Sequence, residues 1–199
     1  MADPAATPFD DALPAGCSGA DRDAPGLTVT KRPDVAVLSL IVGKGHAAAL
    51  ARRLVETQGL ALPDGPRYAV GTSLSAIGTG PGRWLLVGEA DAPDALRQRL
   101  TAETEGLAAV ADLSDALPML RLSGSSARAV LAKGLPIDLH PRCFGPGDVA
   151  SSVVALIPVH LWQLDEVPTY DVAVPRSMAG SFAVWLAESA AEFGLLVEP

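Results

Sequence analysis

A strand that turns at a glycine into a helix occurs twice in this chain, and each time further short strands and a second helix follow. In the first half, Val35-Ala36-Val37-Leu38-Ser39-Leu40-Ile41-Val42 is apolar and rich in β-branched residues, as a strand prefers. Gly43-Lys44-Gly45 turns the chain into a helix predicted over His46 to Gln58, where Leu50 and Leu54 share a face. Gly59 stands where a helix C-terminus favours glycine. Residues 60–66 are turn-rich. Short strands are predicted at Tyr68–Thr72, around Leu74–Ile77, and at Trp84–Val87 after the loop Gly78–Gly82. Asp91 is the expected cap of the next helix, with Pro93 in its first turn and Leu96 and Leu100 on its buried face.

The second half repeats this order. The strand Leu117–Leu122 turns at Ser123-Gly124 into a helix predicted over Ser125–Lys133, ending at Gly134. Leu135–Asp148 is a turn-rich stretch holding Pro136, Pro141 and Pro146. Val153–Leu164 reads as one long strand or as a hairpin interrupted at Pro158. After a turn over Asp165–Thr169 comes the strand Tyr170–Val174, and Ser177 is the expected cap of a last helix. Met178, Phe182, Trp185, Leu186 and Phe193 recur there at helical spacing. Short strands interleaved with only two helices per half predict an α+β two-layer sandwich. Its sheets are mainly antiparallel, with helices on one face, in two pseudo-repeated lobes. Residues 1–30 are acidic and Ala/Pro-rich and read as an arm, disordered alone or laid along a partner. The lobes are expected over 31–110 and 111–199.

Composition narrows the function. Hydrophobic residues make up 49% of the 199, and mean hydropathy is positive. Either a partner covers apolar surface or a tightly packed Ala-rich chain buries it all. The net charge of −8 comes with scattered Lys and Arg, so phosphate contacts with nucleic acid are not expected. Two cysteines, Cys17 and Cys143, are too few for a disulfide framework. No apolar run is long enough to span a bilayer, and Met1-Ala2-Asp3-Pro4 lacks the basic start of a signal peptide. The expected compartment is the cytoplasm.

Each candidate for chemistry has a structural reading beside it. Gly43-Lys44-Gly45-His46-Ala47-Ala48 fits G-x-G-x-x-A between a strand and a helix. A dinucleotide fold also needs a second buried strand ending in an acidic residue about 20 positions on. Asp64 has the spacing, but Leu60-Ala61-Leu62-Pro63 is short and broken by proline, so an ordinary strand–helix turn is expected. Gly78-Thr79-Gly80-Pro81-Gly82 is followed by a strand instead of the helix N-terminus that a phosphate cradle uses. His140, Cys143 and His160 resemble metal ligands but are too few for a closed zinc set. His140 is expected in a turn, Cys143 as a small buried group, and His160 as a partner-facing or hydrogen-bonded strand residue. Ser123 and Ser125 lack a nucleophile-elbow pattern, and Ser123 is a capping candidate. Asp112, Asp138 and Asp148 read as turn and capping residues. At least two of Trp84, Trp162 and Trp185 read as packing residues. No catalytic, cofactor-binding or metal-binding residue is expected in this chain.

Several of these segments together resemble the gamma subunit family of heterotetrameric sarcosine oxidase. The resemblance is carried by Pro81-Gly82-Arg83-Trp84-Leu85-Leu86-Val87-Gly88, by Asp112-Leu113-Ser114, and by Leu120-Arg121-Leu122-Ser123-Gly124. It continues through Leu131-Ala132-Lys133-Gly134-Leu135-Pro136-Ile137-Asp138-Leu139-His140-Pro141-Arg142-Cys143-Phe144 and ends at Val174-Pro175-Arg176-Ser177 and Ala183-Val184-Trp185-Leu186. It covers about residues 35–194, and its specificity lies in the joint order of the motifs. The second half more distantly resembles the folate-binding fold of the glycine-cleavage aminomethyltransferase. The resemblance implies a non-catalytic structural subunit of a flavin-dependent complex that demethylates sarcosine to glycine. Tetrahydrofolate takes the one-carbon unit, or formaldehyde is released, and hydrogen peroxide is formed. FAD, FMN, NAD, zinc and tetrahydrofolate are then expected on the alpha, beta and delta subunits, with alpha as the chief partner. A subunit of an N-methylglutamate or other secondary-amine dehydrogenase, and a free-standing folate-binding module, are the alternatives.

Overall fold

Leu27-Thr28-Val29-Thr30-Lys31 alternates apolar and polar residues, the pattern of a strand buried on one face. In the computed structural model, which describes residues 7–20, 23–89 and 93–199 (backbone alone at Pro93), strand β2 occupies Leu27–Lys31. Before it comes β1 at Gly16–Ser18, and before that a turn in which Phe9 and Leu13 are each 1% exposed. The expectation of an arm over residues 1–30, disordered alone or laid along a partner, is therefore corrected for residues 7–20 and 23–30, which fold onto this chain's own core. The reason is apolar burial, because Phe9, Leu13, Leu27 and Val29 all belong to one hydrophobic core. Asp10 fixes the turn by accepting from the Thr7 backbone and side chain and by pairing with Lys31.

Residues Asp34–Ala116 form one unit. Its elements are β3 (Val35–Val42), α1 (Ala47–Gln58), β4 (Tyr68–Val70), β5 (Ser75–Gly80), β6 (Arg83–Glu89), α2 (Pro93–Glu103) and β7 (Ala108–Asp112). The strands make a sheet in the order β4-β5-β6-β3-β7, with every neighbouring pair antiparallel. Ala36, Leu38 and Leu40 of β3 and Leu86 of β6 pack with Leu50 and Leu54 of α1 and Leu96 and Leu100 of α2. Both helices therefore cover one face. Helix α1 ends in a Schellman motif: Leu60 donates to the Leu54 carbonyl and Gly59, at φ +59°, donates to that of Val55. The expected boundary at 110/111 moves to 116/117. Strand β7 pairs with β3, and Leu113 donates to the Val37 carbonyl at 2.8 Å. The expected cap Asp91 lies outside the described residues.

The second unit joins the residues up to Pro33 with Leu117–Pro199. It adds β8 (Met119–Ser123), α3 (Ala127–Ala132), β9 (Val149–Val154), β10 (Ile157–Asp165), β11 (Thr169–Ala173), a 3-10 turn (Arg176–Met178), α4 (Ala179–Ala190) and β12 (Leu195–Val197). Its seven strands run β1-β12-β2-β8-β11-β10-β9. All pairs are antiparallel except β12 with β2. Leu120, Leu122 and Val172 pack with Val130 and Leu131 of α3 and Phe182 and Leu186 of α4. The two units correspond element by element. The sheet order β4-β5-β6-β3-β7 matches β9-β10-β11-β8-β12, except that β2 is inserted between β8 and β12 and β1 is added at the edge beyond β12. The α+β class, the antiparallel pairing and the helices on one face are as the strand pattern predicts.

Three local expectations are corrected. Ser123 lies inside β8, and α3 begins only at Ala127 after Gly124 turns the chain at φ +114°, so Ser123 caps no helix. Ser177 sits within the 3-10 turn that leads into α4, whose start carries no side-chain cap. The break in the long second-half strand falls at Ala155-Leu156 and not at Pro158, which pairs with Val153 inside the ladder. Both turn residues have positive φ, +47° and +70°. That suits the right-handed twist of a two-residue hairpin but costs an L-residue other than glycine about 1–2 kcal/mol.

Candidate functional site

The segment from Leu135 to Asp148, between α3 and β9, combines buried anchors with an exposed polar row. Leu135, Leu139 and Phe144 are buried in the core, and Ile137 packs against it. The residues between them, Pro136, Asp138, His140, Pro141, Arg142 and Cys143, are exposed. Local hydrogen bonds hold this row. Asp138 accepts from the His140 amide at 2.8 Å, and His140 Nδ1 accepts from the Arg142 amide at 3.2 Å. The His140 carbonyl accepts from the Cys143 and Phe144 amides at 2.7 and 2.9 Å. Gly145 donates to the Asp148 carboxylate at 2.8 Å. Gly147 donates to the Gln163 carbonyl and Gln163 to that of Asp148, which ties the segment to β10.

The electrostatics of the row follow from these bonds. The His140 amide and the Cys143 thiol hold the Asp138 carboxyl below its usual range. Asp138 in turn pushes the Cys143 thiol up, through its hydrogen bond and then its charge. The expectation that Cys143 is buried is corrected: it is exposed. It can be exposed because its partner is the polar Asp138 instead of the apolar core. A raised thiol pKa leaves little thiolate and makes a poor nucleophile.

The other sequence candidates fall into place individually. Gly43–Ala48 is a strand–helix turn in which His46 donates to the Gly43 carbonyl at 3.0 Å. Strand β3 feeds it with antiparallel neighbours on both sides, whereas a dinucleotide crevice uses parallel strands. Gly78–Gly82 closes the β5–β6 hairpin through Pro81-Gly82. His160 hydrogen-bonds Ser151 across the β9–β10 ladder at 2.9 Å, and burial lowers its pKa below 6.5. Among the described residues, no three His, Cys, Asp or Glu side chains gather in a way that can hold a metal ion. Asp112 accepts from the Ser114 amide and hydroxyl, so Asp112, Asp138 and Asp148 are all turn residues. Trp84 and Trp162 are buried, and the Trp185 ring packs tilted against Phe182, with centroids 5.6 Å apart.

One buried polar cluster was not anticipated from the sequence. Asp171 is 4% exposed and takes a two-point ion pair from Arg121, Nε to Oδ1 at 2.8 Å and Nη2 to Oδ2 at 2.9 Å. Arg32 approaches Oδ2 at 3.8 Å. Cross-strand register places Thr30, Arg121, Asp171, Trp162 and Val149 in one row over β2, β8, β11, β10 and β9. The signal was present: Leu120-Arg121-Leu122 and Tyr170-Asp171-Val172 each hold one charge of opposite sign at the centre of an apolar strand. Such a pair fixes register, since a slip leaves a charge buried alone.

The sarcosine oxidase gamma subunit family matches residues 42–192 of this chain. The chain belongs to that family. The sarcosine oxidase subunit gamma of Corynebacterium sp. strain P-1 is 33% identical over 156 residues, covering 77% of this chain and 73% of that protein. The strain U-96 counterpart is 32% identical over 153 residues, covering 75% and 70%. Among solved structures, a chain of the heterotetrameric sarcosine oxidase from Corynebacterium sp. U-96, in complex with pyrrole 2-carboxylate, superposes with a TM-score of 0.79 at 29% identity. That superposition covers 97% of this chain and 96% of that one. The glycine cleavage aminomethyltransferase T from Bartonella henselae shares the fold, with a TM-score of 0.65 at 17% identity over 88% of this chain and 48% of that one. Both α3 and the Leu135–Asp148 segment fall within the part matched by the family.

Proposed function

We propose that this chain is a structural subunit of a cytoplasmic heterotetrameric sarcosine oxidase and carries none of its catalytic groups. The observation that carries the reading is the end-to-end correspondence with one chain of such a heterotetramer, over 97% of this chain and 96% of the other. In this reading the complex oxidises sarcosine to glycine, and FAD, FMN, NAD, zinc and tetrahydrofolate are held by the alpha, beta and delta subunits. This chain supplies a shaped surface, chiefly to alpha. The Leu135–Asp148 segment suits that role, because anchored and internally hydrogen-bonded loops lose little entropy on binding. The thiol of Cys143, raised by Asp138, suits a recognition surface better than a nucleophile.

The test is co-expression with the other three subunits, followed by native mass measurement and sarcosine-dependent oxygen uptake. We expect one copy of this chain in the complex. Substituting Asp138, His140 and Cys143 together by alanine is expected to leave turnover per assembled complex unchanged. A loss of turnover in a fully assembled variant overturns the non-catalytic assignment. Calorimetric titration of the isolated chain with a reduced folate separates the free-standing folate-binding reading, which alone predicts binding there.

A further inference from the structure

We propose that Arg128 of α3 and Tyr170 of β11 bind a small free carboxylate, an ion of the size of formate or acetate. The inference goes beyond the subunit reading and stands without it. Three observations carry it. Tyr170 is 0% exposed, and its phenolic oxygen makes no hydrogen bond of ordinary geometry among the described residues. Arg128 Nε is buried and lacks an acceptor in the same way. Finally, no carboxylate among the described residues pairs with Arg128. Its guanidinium bonds the neutral amide of Gln163, Nη2 to Oε1 at 3.2 Å, and lies 5.9 Å from the centre of the Tyr170 ring. Burial raises the Tyr170 pKa, with the charge of Arg128 opposing the rise, so the hydroxyl keeps its proton and is a donor.

These groups converge at one place. Gln163 is opposite Tyr170 in the β10–β11 ladder. It is buried, and its amide nitrogen is already given to the Asp165 carbonyl at 2.7 Å. Phe144 closes one side, with its ring centre 6.4 Å from that of Tyr170. What is left without partners is all donors, because a guanidinium has no acceptor. A water molecule accepts such hydrogen bonds but leaves the positive charge unanswered. A carboxylate does both: it brings one negative charge for one positive, and two oxygens for a guanidinium edge and a hydroxyl. A phosphate dianion brings a second negative charge, for which the cluster has no second cation. The free donor atoms are enclosed, which suits a detached ion of a few atoms and not a side chain held on another subunit's backbone. Arg128 itself is partly exposed, so its side chain can swing outward to admit the ion.

The test titrates the full chain with sodium formate or sodium acetate, against sodium chloride at equal ionic strength. In proton–nitrogen NMR, the Arg128 Nε–H resonance, assigned by its loss in Arg128→Gln, is expected to shift saturably with either carboxylate and not with chloride. The thermal midpoint is expected to rise by about 3 °C or more at about ten times the dissociation constant, and Arg128→Gln to lose that rise. Tyr170→Phe removes only the hydroxyl. In chloride it is expected to melt no lower than the unsubstituted chain, because it deletes a group without a partner, and its affinity for acetate is expected to fall about fivefold. No saturable shift, the same shift with chloride, or a full midpoint rise in Arg128→Gln overturns the carboxylate site. So does a Tyr170→Phe chain that melts several degrees lower in chloride, since the hydroxyl then has a partner within the fold.

Discussion

Asp171 is the residue on which the most depends. Its carboxylate answers two arginines in a place where water does not reach it. Replacing it by alanine removes the buried carboxylate that Arg121 and Arg32 both approach. We expect a loss of about 2–4 kcal/mol in urea unfolding, the lower end reflecting the partial exposure of Arg121. His160 gives a pH signature. Burial lowers its folded pKa below 6.5, so the unfolded chain binds more protons between the two values. Its stability contribution is complete above the unfolded pKa and is lost as pH falls below about 6.5. Denaturation midpoints measured from pH 7.5 to 5.5 are expected to fall less steeply in His160→Gln than in the unsubstituted chain. At Cys143, Asp138→Ala removes the two largest causes of the raised thiol pKa, the hydrogen bond and the charge of Asp138. Alkylation by iodoacetamide at pH 8 is expected to accelerate several-fold at that position, with Cys17 as the internal control.

Among the elements, the N-terminal turn and β2 have the largest consequences. Phe9 and Leu13 are as buried as the strands they cover, and Phe9→Ala is expected to cost about 3–5 kcal/mol by calorimetry or denaturant titration. Strand β2 sits between β8 and β12, so β12 and the edge strand β1 join the rest of the ladder through it. These residues read as an arm because their Ala, Asp and Pro content masks two short signals. One is the four-residue spacing of Phe9 and Leu13, and the other is the alternation from Leu27 to Lys31. The helices were more legible. Leu50 and Leu54 fixed α1, and Gly59 its end, because spacing and left-handed φ are local properties. The starts of α3 and α4 were not, because neither uses a side-chain cap.

At the scale of the whole chain, two units follow one plan and differ by two strands, β1 and β2, drawn from far away in sequence. Asp34–Ala116 is continuous and has its own core. Expressed alone, it is expected to unfold cooperatively with dispersed amide resonances. A fragment beginning at Leu117 lacks β2 and two core anchors, and is expected to stay unfolded until a peptide of residues 1–33 is added. Folding of the 117–199 fragment unaided would contradict the structural part given to β2. The family membership adds that such a chain has other subunits as partners.

The sequence by itself determined the α+β class, the repeated order of elements, the buried helix faces and the turn roles of Asp112, Asp138 and Asp148. Each of these depends on residues close together in the chain, where periodicity and side-chain chemistry act directly. The motifs that mark the gamma subunit family were equally legible, because they are local runs in a fixed order. Only the tertiary structure decided that β2 enters the second sheet, that Arg121 meets Asp171, and that Cys143 faces Asp138 at the surface. It also decided that the hairpin turns at Ala155-Leu156. Strand insertion and cross-strand register join residues up to about 170 positions apart, as the bond between Thr30 and Glu198 does. What selects such partners is the burial of a whole sheet face, which no local window of sequence contains.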